Sequence, residues 1–230
     1  MNRFEQALQD KPFLLMVSLP QNDVELAKAA IAEGADGLKV HINVFHRASG
    51  NRFGPLSHYE EPFRAIRDLF EGPFGIVPGG SINEVNPTEA EQFASYGIDF
   101  TSIYGHHLSP ALLKLSGVAS TFAIHDQFDL NLLEVAKDFP MTALEASVIP
   151  GREYGTPLSF ADLLKYRYLV KKAQIPVIVP TQRRVTPADI PVLRDTGIRG
   201  LLVGAVAMGK TADEIRRTIA AFRQAIDREE

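Results

Sequence analysis

The sequence predicts an α/β protein folded as one (β/α)8 barrel, a TIM barrel, occupying residues 1–230 as a single domain. Three observations predict it. Eight short apolar runs recur roughly 29 residues apart, the size of one strand–helix unit. Segments with recognisable helix starts lie between them. No linker, low-complexity tract or shift in composition divides the chain.

The strands come first. Phe13–Leu19, Gly37–Asn43, Phe74–Pro78, Phe100–Tyr104, Ser120–Asp126, Met141–Ser147, Pro176–Thr181 and Gly200–Gly204 are each rich in Val, Ile, Leu or Phe. Gly, Pro or Asp bounds them, as expected of parallel strands buried on both faces. Between them, Thr186-Pro187-Ala188-Asp189 and Asn86-Pro87-Thr88-Glu89 place a cap, a proline and an acid at a helix start. Ser109-Pro110 supplies the first two of these. Ser57–Glu60 and Thr211–Glu214 fit the capping box. Val24–Glu33 reads as a helix stopped by Gly34, which tolerates the left-handed cap. An open doubly wound sheet is the weaker fit. It would show five or six strands and often a glycine-rich first turn, whereas the first strand here ends Leu19-Pro20-Gln21-Asn22.

Composition narrows the function. The chain is 45% apolar and 23% charged, far from a disordered composition. Its net charge of −4 provides no basic surplus for nucleic acid. The absence of cysteine removes disulfides, thiolate nucleophiles and thiolate metal sites. No apolar run approaches the roughly 20 residues of a membrane span. The start, MNRFEQALQDKPF, lacks the apolar core of a secretory signal, so the expected location is cytoplasmic.

A barrel carries its chemistry at the carboxyl ends of its strands. In the second strand Lys39, His41 and Asn43 alternate with apolar Val40, Ile42 and Val44, which predicts three polar groups facing the interior. Glu145 is the one ionisable residue of its apolar strand and the expected partner of Lys39. Burial there should raise its pKa into a range useful for proton transfer. Such a pair can move a proton at a carbon beside a carbonyl; it can also be a structural ion pair. His125 and Asp126 are adjacent, so alternation admits one of them to the site, with His125 the acid–base or ligand candidate. His106-His107 follows the fourth strand.

The last strand breaks at Gly204-Ala205-Val206-Ala207-Met208-Gly209, where small side chains let backbone amides meet an anion. Gly204 and Ala205 are therefore the candidate phosphate amides. The loops Phe45–Ser57 and Ser147–Ser159 are long and polar, of the kind that forms lids bearing arginines.

The segment Ile175–Gly209 resembles the phosphate-binding TIM barrels, the group that includes ribulose-phosphate epimerase. The resemblance covers the fold of nearly the whole chain and implies a phosphorylated small-molecule substrate. The family's glycine pair after the seventh strand is replaced by Pro180-Thr181-Gln182-Arg183-Arg184. Arg183 or Arg184 is the candidate substitute, since a guanidinium binds phosphate through paired hydrogen bonds. His41-Ile42-Asn43-Val44-Phe45-His46 with Phe53-Gly54-Pro55 is more narrowly similar to pentulose-phosphate epimerases, in which the His and an Asp bind a divalent metal. Here Asn43 holds the Asp position and no Asp follows the seventh strand, so no metal and no other cofactor is expected.

The leading expectation is a cofactor-independent isomerase, epimerase or lyase acting on a small phosphorylated sugar or sugar acid. Lys39 and Glu145 would transfer the proton. The alternatives are a metal-dependent epimerase relative using His41 and His125, an FMN-binding barrel, and a non-catalytic phosphometabolite-binding barrel. Many barrels associate through their helices, so a homo-oligomer is among the expected partners.

Overall fold

The structure, a computed structural model, describes residues 1–228. Eight parallel strands close into a barrel in the order β1-β10-β9-β8-β7-β6-β5-β2. They are β1 (Leu14–Ser18), β2 (Gly37–His41), β5 (Phe74–Val77), β6 (Phe100–Tyr104), β7 (Ala119–Ala123), β8 (Met141–Glu145), β9 (Val177–Pro180) and β10 (Gly200–Val203). All eight predicted runs are strands, mostly with their starts in place and their carboxyl ends a residue or two short; β7 begins one residue earlier than predicted and ends three earlier. Two further short strands, β3 (Val44–His46) and β4 (Asn51–Phe53), pair antiparallel as a hairpin standing on the end of β2. This hairpin occupies the predicted polar loop.

The outer layer holds α2 (Val24–Ala32), α3 (Glu60–Leu69), α4 (Pro87–Ala90), α5 (Phe160–Ala173), α6 (Ile190–Asp195), α7 (Ala205–Met208) and α8 (Ala212–Asp227). The predicted starts at Asn86, Thr186 and Thr211 are observed with their caps. The box at Ser57–Glu60 does not form. Ser57 lies inside a 3-10 turn, and Tyr59 holds the cap position without a side-chain bond. The connections after β6 and β7 also depart from eight regular units. Among the described residues they contain only 3-10 segments, chiefly Pro110–Lys114 and Leu130–Asp138. Pro140 disfavours helix at Phe139 and so helps to end the second of them.

Side-chain alternation divides the core in two. Leu15, Val17, Leu38, Val40 and Leu144 face outward and pack in the large cluster under the helices. Leu14, Met16, Phe100, Ala119, Ala143, Ile178 and Leu202 face inward and fill the lower barrel. The Phe100 ring occupies the space beside Gly75, where any Cβ would overlap it.

The lower end is stoppered by α1 (Arg3–Asp10), which precedes β1. Asn2 caps it through a full capping box with Glu5. Phe4, fully buried, stacks on Phe100 with ring centroids 4.2 Å apart. Arg199 ties the helix end down by donating to the Lys11 carbonyl at 2.8 Å.

Candidate active site

The inward alternation that places Met16, Phe100 and Ala143 in the core places Ser18, Ser102 and Glu145 one layer higher, at the carboxyl end. Lys39 and His41 of β2 join them. These side chains form the floor and wall of an open cavity of about 730 Å³ at the mouth of the barrel.

Lys39 and Glu145 meet there as expected. The Lys39 ammonium donates to Glu145 Oε2 at 2.7 Å, and the two side chains are only 6% and 13% exposed. Ser102 Oγ donates to the same oxygen at 2.7 Å, and Ser147 Oγ to Oε1 at 3.4 Å. The expected upward pKa shift of Glu145 is reversed. Burial does push the carboxyl up. The Lys39 charge and the hydrogen bonds from Lys39, Ser102 and Ser147 outweigh burial and hold it below the usual carboxylate value. The resting pair is therefore carboxylate and ammonium.

His41 is 1% exposed and lines the cavity. Its ring packs on His46 and Phe53, at centroid distances of 4.3 and 4.9 Å. Its Nε2 lies 3.4 Å from Ser18 Oγ, while Nδ1 has no partner. Burial, then the neighbouring His46 and Lys39 charges, keep its pKa well below the ordinary value, so the ring is neutral. Burial and Lys39 likewise lower His46 to about 4, against the opposing pull of Glu145.

Asn43 does not join the site. β2 ends at His41, and Asn43 turns into the left-handed region with φ of 51°. Its amide donates 2.6 Å to Glu89, which also accepts from the Leu56 backbone N–H at 2.9 Å. Asn43 is thus the anchor of the hairpin base. Strand alternation fails here because the strand has already stopped.

His125 and Asp126 both line the cavity, contrary to the one-of-two expectation. β7 ends at Ala123, so strand alternation no longer governs them. His125 packs edge-on against His106 at 5.0 Å, and His107 also lines the mouth. These imidazoles do not make a metal centre: among the described residues no group of three or more His, Asp or Glu converges to hold one. With Asn43 turned away and its carboxylate counterpart missing, the site does not fit the divalent metal of the epimerase pattern.

The expected anion groups are partly elsewhere. Gly204 lines the cavity, but its N–H donates to Thr181 Oγ1 at 2.9 Å. Ala205 does not line it, although Val206 does. Arg183 is paired with Glu153 at 2.7 Å and Asp162 at 3.1 Å, and lies outside the cavity lining. Arg184 is exposed and outside it too, its backbone bridged to Pro157. Two acids thus neutralise the guanidinium that was expected to receive phosphate. The arginines that do line the mouth are Arg47 and Arg52, carried by the hairpin. Ser18, Ser102, Tyr104 and Tyr154 are further lining groups outside the sequence-derived set. Ser18 and Ser102 stand two residues beyond inward Met16 and Phe100, so the alternation itself carried their signal.

The closed ring of eight parallel strands with its site at their carboxyl ends defines a TIM barrel. No protein-family model and no curated protein matches the chain. Solved structures do. Thiamine phosphate pyrophosphorylase from Pyrococcus furiosus aligns with a TM-score of 0.66 at 14% identity, covering 96% of this chain and 98% of that one. The tryptophan synthase A-subunit from the same organism gives 0.70 at 14% identity, covering 92% and 98%. A structure described as native KDPGal gives 0.65 at 17% identity, covering 95% and 96%. Identities this low establish the shared barrel fold. No helix among the described residues is long and apolar enough to cross a membrane.

Proposed function

We propose that the protein is an isomerase, epimerase or lyase that moves a proton at a carbon next to a carbonyl in a small phosphorylated sugar or sugar acid. The observation that carries this reading is the Lys39–Glu145 pair, 2.7 Å apart on the floor of an open cavity. A purely structural ion pair has no need of a cavity above it. The fold-level neighbours support an enzyme, and one of them names a phosphate ester in its own description.

The chemistry follows from the pair. With the substrate carbonyl over the floor, Lys39 turns its ammonium to the carbonyl oxygen. That movement loosens its hold on Glu145, and burial then raises the basicity of the carboxylate. Glu145 takes the proton from the adjacent carbon. The C–H electron pair becomes the new C=C bond, and the carbonyl oxygen takes up the negative charge beside the Lys39 ammonium. Protonation of the same carbon on its opposite face by a solvent proton, with the Glu145 proton released to solvent, gives an epimer. Return of the Glu145 proton to the former carbonyl carbon, with a hydroxyl proton of the enediolate passing to the carbonyl oxygen, gives an isomer. Expulsion of a group from the next carbon gives a lyase: it leaves with its bonding pair and takes the Glu145 proton while the carbonyl re-forms and a C=C bond appears. Ser102 and Ser147 keep the carboxylate aimed throughout.

Proton NMR in deuterated water tests this without knowledge of the product. A panel of phosphorylated ketoses, aldoses and sugar acids is incubated with the protein, and the C–H signal beside each carbonyl is followed. Wild-type protein should exchange deuterium into at least one compound. Lys39→Met and Glu145→Gln should each slow that exchange by about 100-fold or more. A wild-type protein that exchanges none of the panel, or variants that exchange as fast as wild type, would remove the proposal.

A further inference from the structure

We propose that Arg47, together with the hydroxyls of Tyr104 and Tyr154, forms an oxyanion subsite that receives a carboxylate or phosphoryl group at one end of the substrate. The proposal rests on the cavity being the substrate site, as argued above, and adds where its charge is read. Arg47 lies on the turn between β3 and β4 and lines the cavity. Among the described residues it enters no ion pair. The nearby acid Glu153 is occupied by Arg152 and Arg183. An arginine that pairs with none of the acids around it keeps its paired N–H donors for a ligand.

Position is set from across the mouth. The guanidinium lies against Gly151 in the loop after β8. A Cβ at Gly151 would stand 3.3 Å from Arg47 Cζ and closer still to Nη1. A side chain at Gly151 would displace the guanidinium from this position.

The two phenols complete the set of donors. Ile149 N–H donates to Gln182 Oε1 at 3.1 Å, which fixes the orientation of that buried amide. Gln182 Nε2 in turn donates to the Tyr154 hydroxyl oxygen at 2.6 Å. The Tyr154 proton is left to donate elsewhere, and Tyr154 lines the cavity. Tyr104, raised to about 12 chiefly by burial and then by Tyr154 and Glu145, keeps its proton. The Arg47 guanidinium and the two phenol hydroxyls thus line one cavity, and their donors are the complement of an oxyanion. Two competing candidates are already engaged, Arg183 by two acids and the Gly204 N–H by Thr181. Arg52 also lines the mouth, with its guanidinium 5.8 Å from the centre of the Phe45 ring.

Calorimetric titration of the intact protein with glycerol, glycerate, glycerol 1-phosphate and inorganic phosphate tests the subsite apart from turnover. At least one anion should bind and glycerol should not. The tighter of glycerate and glycerol 1-phosphate identifies the group as carboxylate or phosphoryl. Arg47→Gln should weaken anion binding about tenfold or more. Gly151→Ala should weaken it several-fold while leaving every charge in place. Arg183→Gln should leave it unchanged. Wild-type protein that binds none of the anions overturns the proposal. So does an Arg47→Gln variant that binds like wild type, or loss of binding on Arg183→Gln instead. Anion binding retained by a wild-type protein that shows no deuterium exchange would sink the proton-transfer reading and leave the subsite standing.

Discussion

Lys39→Met is the substitution with the most to say about this barrel, because it removes one charge and leaves its partner buried. Glu145 would keep the hydrogen bonds from Ser102 and Ser147 but lose the ammonium 2.7 Å away. Breaking a buried pair costs about 3–5 kcal/mol at neutral pH. The two remaining hydroxyl donors put this pair at the lower end, about 3 kcal/mol. For a chain of this length that corresponds to a fall in Tm of about 6–12 °C. The cost must also depend on pH. In the wild type the folded pKa of Glu145 is held below its unfolded value, so the pair contributes stability above the unfolded pKa and loses it as pH falls through the folded one. In the variant burial, the largest influence on this carboxyl, is opposed only by the Ser102 and Ser147 hydrogen bonds and raises that pKa. The penalty then appears only as pH rises above the unfolded value of about 4.3. Scanning calorimetry of both proteins from acid to neutral pH should show the Tm gap wide at neutrality and narrowing toward pH 4. Adding Glu145→Leu to the variant should recover most of the loss. A gap independent of pH, or a double variant less stable than the single one, would refute the account of a charge pair held in a dry floor.

Two further outcomes follow from the same packing and electrostatics. Gly75→Ala should destabilise by about 1–3 kcal/mol, read from chemical denaturation, because the Phe100 ring beside it is held in place by its stack on Phe4. Nitrogen-detected NMR titration should place the His46 midpoint near 4 and the His41 midpoint well below the ordinary imidazole value. Since both folded values lie below the unfolded one, stability should be full above about pH 6.5 and decline as pH falls from there toward 4. Ordinary midpoints near neutrality for both rings would contradict their burial.

The barrel was legible in the sequence because its strands are apolar on both faces, and such runs need no tertiary information to be seen. The Lys39–Glu145 pair was legible for a related reason. Each is a lone charge in an apolar strand, and two inward charges in a closed ring have little choice but to meet. What the sequence concealed lies where strands stop. Asn43 obeys alternation on paper, but β2 ends two residues earlier and its backbone turns left-handed. His125 and Asp126 lie beyond β7 and share the mouth for the same reason. Arg183 looked free because Glu153 and Asp162, its partners, come from another loop and another helix. Arg47 was visible only as part of a polar loop, since nothing local reveals a turn that folds back as a hairpin over the site. The helix before the first strand went unpredicted, although its capping signal Asn2-x-x-Glu5 was present, with Phe4 and Leu8 spaced one turn apart.

That first helix has a consequence for traffic. Phe4 and Leu8 seal the barrel from below, and the packed interior layer leaves no passage between the two ends. The cavity is closed at its floor and opens at the mouth of the barrel. Whatever enters must leave by that mouth, which Arg47 and Arg52 help to line. When a reaction yields two fragments, the one nearer the floor is the last to depart.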